Sequence, residues 1–167
     1  MSGLELIAYD EVTERKLYVL SVGKPEDVPD RIALSSSRFV CLIAWDASQS
    51  SVEDMVRVAR KVLDSGAVYV SAWGSGCERV HDIFDEVVVE SGLSEDDDSV
   101  VMTTWHDDEP LSEAIWFVLR NTWPAAGYQE GCDATLGLSI GSPTSAKEIR
   151  SAFWDSATFI SKILESE

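Results

Sequence analysis

Basic residues are scarce in this chain of 167 residues, where thirteen Lys and Arg stand against thirty Asp and Glu for a formal net charge of −17. A phosphate backbone or an anionic membrane surface would be repelled, and no Lys/Arg cluster makes a local exception. Nucleic-acid and membrane-surface binding are therefore not expected. Long apolar runs are missing as well, none approaching the roughly 20 residues that cross a bilayer. The opening MSGLELIAYDE has no basic stretch followed by a long apolar one, so it does not read as a secretory signal. Cysteine is limited to Cys41, Cys77 and Cys132, an odd number at wide spacing. A chain of this length builds a core without staples, and reduced thiols in a cytoplasmic protein are the expectation. Histidine occurs twice, as His81 and His106, and no arrangement with an aspartate completes a serine triad. Internal repeats are absent, and the one biased stretch, SEDDDS at 94–99, reads as a solvated loop.

What is present is the composition of a folded domain, 45% hydrophobic and 26% charged. One domain over 1–167 is expected, with three parts. The first, 1–30, holds a strand pair, LELIAY and KLYVLSV, followed by the loop GKPEDVPD. The second, 38–141, alternates strands and helices. FVCLIAW and AVYVSAW are apolar on both faces, as parallel strands covered on each side must be. SSVEDMVRVARKVLDSG reads as a helix between them, with Ser50 and Glu53 as a capping box and Gly66 as its stop. A second capping box, Ser75 with Glu78, opens the next helix. DEVVVE reads as a short strand, SVVMTTW as another, LSEAIWFVLRN as a helix after Pro110, and ATLGLSIG as the last strand. The third part, 142–167, is one closing amphipathic helix outlined by Ala146, Ile149, Phe153, Ala157, Ile160 and Leu164. The fold expected is α/β: a three-layer Rossmann-like sandwich on a mostly parallel sheet with an added N-terminal strand pair.

Right-handed crossovers carry the C-terminal strand ends to one edge, where ligands of such sheets bind. Three strands end alike, in LIAWD, VSAWG and TTWH. Trp45, Trp73 and Trp105 are therefore expected near one another, with Asp46, Gly74 and His106 after them. They form either caps on the apolar core or the wall of a pocket. In WGSGCERVHD, Gly74, Ser75 and Gly76 permit a tight turn and close approach of a ligand. The spacing is not that of a dinucleotide fingerprint, a P-loop or a serine nucleophile elbow, so no nucleotide cofactor is expected. Cys77 falls in the first turn of a helix, where the dipole lowers a thiol, and His81 lies one turn on. A buried thiol beside a hydrogen-bonded histidine and a catalytic thiol are the two readings of that pair. His106 leads into Asp107, Asp108 and Glu109. A set of His106, Asp108 and Asp46 is conceivable for a metal, yet no known ligand spacing is present and none is expected.

The stretches AWGSGCERVHDIFDE and VVMTTWHDDEPLSEAIWF together resemble an uncharacterised family of small bacterial Rossmann-like proteins. The resemblance spans roughly 38–141 and rests on W-G-x-x-C-E-R-V-H-D joined to T-T-W-H-x-D-E-P. It implies the α/β fold and a bacterial source, and marks the same residues without assigning them an activity.

Two classes of function are consistent with these features. One is a non-catalytic acidic binding protein, an immunity- or antitoxin-type partner of a basic protein, with encounter steered by charge. The alternative is a small hydrolase or transferase using Cys77 with His81 or His106 as base, or a sensor of a small ligand at the tryptophan edge. Ligand contacts are expected from Trp45, Asp46, Trp73, Gly74, Ser75, Gly76, Trp105 and Asp108.

Overall fold

The computed structural model describes residues 3–166. Strands β1 (Leu4–Asp10) and β2 (Arg15–Val22) pair antiparallel. Then follow β3 (Arg38–Trp45), α1 (Val52–Asp64), β4 (Ala67–Trp73), α2 (Cys77–Glu90), β5 (Met102–His106), α3 (Leu111–Arg120), β6 (Cys132–Ile140), α4 (Pro143–Trp154) and α5 (Ser156–Glu165). The six strands form one sheet in the order β1-β2-β6-β3-β4-β5, and every pairing after the first is parallel. This is the α/β sandwich expected, with the N-terminal pair added at one edge.

Strand β3 shows why its sequence is apolar throughout. Phe39, Cys41, Ile43 and Trp45 pack with Met55, Val58, Val80 and Phe84 of α1 and α2. Val40, Leu42 and Ala44 pack on the other face with Ile115, Val118, Ile149 and Phe153 of α3 and α4. Successive side chains of a strand point to opposite faces, so a strand covered on both sides has no polar position. Each fully buried side chain of this size contributes about 1.5–3 kcal/mol.

Four local expectations are corrected. DEVVVE is the last part of α2, because helical spacing sets Val80, Phe84, Val87 and Val88 on one buried face. The cap of α1 is Ser51, whose side chain accepts from the Asp54 amide, rather than Ser50. The cap of α2 is Gly76 in the left-handed region, with no side-chain bond from Ser75. The closing helix is two helices, because the Asp155 carboxylate accepts from the amide and hydroxyl of Thr158 and starts α5 anew. No helix among the described residues is long and apolar enough to cross a membrane.

Candidate functional site

The ends of β3, β4 and β5 do lie along one edge, since Ala44 pairs with Trp73 and Ala72 with Trp105. That register also separates the tryptophans. Trp45 is buried with the α1/α2 core, and Trp105 faces α2, its ring 4.5 Å from that of His81. Trp73 is offset by one position and packs on the α3/α4 side. A strand's alternation thus places the three indoles on two faces, and they do not share one wall.

The same alternation parts the histidines. His106 pairs with Trp73 and lies against Phe117 of α3, ring centroids 4.6 Å apart, whereas His81 lies on α2 across the sheet. His81 is held by carboxylates, Nδ1 at 3.1 Å from Asp82 and Nε2 at 3.4 Å from Asp85, which also accepts from the Thr103 hydroxyl. Cys77 is 2% exposed, in the core beneath α1 and α2. Burial pushes its thiol up, against a smaller downward pull from the His106 amide, and Asp107 adds to the rise. The lowering expected from the helix start is outweighed because the sulfur sits under the helix, away from water. Among the described residues no hydrogen bond joins Cys77 to either imidazole.

His106 belongs instead to a polar chain on the α3 side. The Thr104 hydroxyl donates to Ser71 Oγ at 2.8 Å, Thr104 Oγ1 is 3.1 Å from His106 Nε2, and His106 Nδ1 is 2.6 Å from Glu109 Oε1. With its proton given to Ser71, Thr104 can only accept from His106, so Nε2 carries a hydrogen. Nδ1 is engaged by the Glu109 carboxylate. Both ring nitrogens are occupied, and neither presents a lone pair to a substrate. Trp73 Nε1 donates to the Glu109 carbonyl at 2.8 Å, which pins the 107–109 segment to β4.

The glycines have their own explanation. A Cβ on Gly74, where φ is +116°, would collide with the Trp45 carbonyl. One on Gly76, at φ +80°, would sit 3.3 Å from the Ala47–Ser48 backbone. The Ala47 amide donates to the Ser75 carbonyl at 2.9 Å. The close approach that these glycines permit is made by the chain's own loop after β3.

Beyond that seam a cleft of about 240 Å³ opens, lined by Trp73, Gly74, Ser75, His106, Asp107, Asp108 and Glu109. It holds three carboxylates and no lysine or arginine. A family model described as a domain of unknown function, DUF7684, matches residues 17–156. The chain belongs to that family. The matched span takes in both the WGSGCERVHD stretch and the polar chain from Ser71 to Glu109. No curated protein matches the chain.

Of the other sequence-predicted contacts in this DUF7684 chain, Asp46 is exposed and turned back on its own loop. It accepts from the Ser48 amide and hydroxyl, which hold its carboxyl below the usual range. Among the described residues no three His, Cys, Asp or Glu side chains gather as a metal would require. Ser71 and Thr104 escaped sequence reasoning. Their signal was a polar residue two positions before Trp73 and before His106, readable only once the two strands are known to be neighbours.

Proposed function

We propose that the chain is a non-catalytic acidic binding protein, an immunity- or antitoxin-type partner of a basic protein, which takes a cationic side chain at the β4/β5 cleft. One observation carries this reading: the cleft combines Trp73 with Asp107, Asp108 and Glu109 and has no lysine or arginine in its lining. Carboxylates beside an indole suit a lysine or arginine head group. The net charge of −17 would steer such a partner from a distance. The saturated His106 and the buried Cys77 speak for recognition rather than reaction. Three unpaired, buried cysteines fit a cytoplasmic setting.

Affinity capture from the source cells, with the captured protein identified and its binding then measured, tests the proposal. A basic partner is expected, bound far more weakly when salt rises from about 0.05 M to about 0.5 M. The combined variant Asp107→Asn, Asp108→Asn, Glu109→Gln should lose most of that affinity while staying folded. Binding indifferent to both salt and the variant would reject the reading.

A further inference from the structure

At the opposite edge of the sheet β2 opens with Arg15, 3% exposed in a chain otherwise poor in cations. A guanidinium removed from water needs hydrogen bonds or opposite charge to offset the loss. Arg15 has little of either. Of its five N–H groups, two meet protein acceptors among the described residues, both on Thr122: the hydroxyl at 3.3 Å and the carbonyl at 2.8 Å.

Its neighbour across the hairpin, Asp10, is committed elsewhere. The Asp10 carboxylate accepts from Arg120 at 2.9 Å, Thr13 at 2.6 Å and Ser156 at 3.2 Å. Arg120 thus takes the Asp10 charge, and Arg15, with no ion pair among the described residues, is left as a positive charge in excess. Burial draws Arg15 below its ordinary value, with Cys132 and Asp10 opposing.

The excess charge borders a cleft of about 220 Å³, lined by Arg15, Trp123, Pro124, Gln129 and Cys132. The guanidinium carbon lies over the Trp123 ring, 5.4 Å from its centroid, and the rest of this side chain is open to solvent, Trp123 being 56% exposed. The loop carrying these residues is braced. Arg38 donates to the Gly127 and Glu130 carbonyls at 3.2 and 2.7 Å and lies over the Tyr128 ring.

We propose that this cleft binds a small organic acid, its carboxylate received by the free N–H groups of Arg15 and its planar body resting on Trp123. A guanidinium fork matches the two oxygens of a carboxylate, and such charge-assisted bonds are the strong ones. The volume admits a molecule of about ten heavy atoms or fewer. This site is separate from the β4/β5 cleft and does not depend on the function proposed for it.

Calorimetric titration of the full chain with benzoate, with benzamide as its uncharged counterpart and with inorganic phosphate, tests the assignment. Benzoate should bind at one saturable site and benzamide at least about tenfold more weakly. Phosphate should fall below benzoate for want of a body to stack. Trp123→Leu alters an exposed side chain, keeps the fold, and should weaken benzoate several-fold. Arg15→Lys, where it folds, should weaken it about tenfold. Equal affinity for benzoate and benzamide overturns the proposal. So does phosphate binding as tightly as benzoate, or a Trp123→Leu variant that binds benzoate unchanged. Absence of any benzoate binding up to about 20 mM would do the same.

Discussion

The two edges of the sheet use their polar residues in opposite ways. At the C-terminal ends of β4 and β5 the polar groups satisfy one another: Ser71, Thr104, His106 and Glu109 form a closed chain, and Glu109 also holds Trp73. Carboxylates then crowd the cleft beside it. At the N-terminal ends of β2 and β6 the charges are fewer and more deeply buried, and one cation is in excess. A histidine beside three carboxylates looks like chemistry in a sequence, but both ring nitrogens of His106 are already bonded. An unremarked arginine at a strand start is the group with donors to spare. Chemical potential at a site depends on which groups remain unsatisfied after folding, more than on which residue types are present.

The largest effect that would sharpen this contrast is expected from Asp10→Ala. It would strand Arg120 and Arg15 without their buried counter-charge and cost about 3–5 kcal/mol, measured by urea unfolding. A loss under about 1 kcal/mol would show that the N-terminal edge is not held by charge. At the other edge Gly74→Ala combines a left-handed backbone with a collision against the Trp45 carbonyl. About 2–3 kcal/mol of destabilisation is expected from that position, read from the same experiment. Thr104→Val should cost less, about 1 kcal/mol, by leaving His106 Nε2 without an acceptor on a half-buried strand. An unchanged midpoint would mean that the polar chain is ornamental to stability.

Chemical reactivity gives a further test. Burial raises the Cys77 thiol, so little thiolate exists at neutral pH, and alkylation by iodoacetamide should be slow until the chain is unfolded. Rapid labelling of the folded chain at neutral pH would restore a nucleophile to the C-terminal edge. The smallest effect is expected at Asp155, whose carboxyl is held below its usual range by the Thr158 hydroxyl and amide. A depressed folded value means that its contribution is present above the ordinary carboxylate range and lost as pH falls through the folded value. Asp155→Asn should thus reduce helicity slightly near neutral pH and flatten the acid-induced change, as followed by circular dichroism.

Much of the scaffold was legible because hydrophobic periodicity reports it directly. FVCLIAW and AVYVSAW could be read as doubly covered strands from composition alone, and the hairpin from its two short runs. DEVVVE reads as a strand because three consecutive valines favour one locally, while the helix that carries Val80 and Phe84 has only to continue to bury Val87 and Val88. A capping box is a local pattern and points to Ser75 as the cap of α2, whereas the loop after β3 that demands a glycine at Gly76 is almost thirty residues away in the chain. At the site, Cys77 and His81 stand one turn apart on α2, yet spacing along a helix says nothing of which strand lies beneath.

The α/β class, the placing of the strands that end in tryptophan at one edge, and the acidity that sets the long-range field are all legible without coordinates. All three follow from composition and short-range periodicity, which survive without knowledge of partners. That the two histidines face opposite sides of the sheet, that the glycines accommodate the chain's own backbone, and that Arg15 keeps free donors emerges from the packed fold alone. Those depend on register and on contacts between residues as far apart as Arg15 and Thr122, where a one-residue offset reverses the face of every side chain.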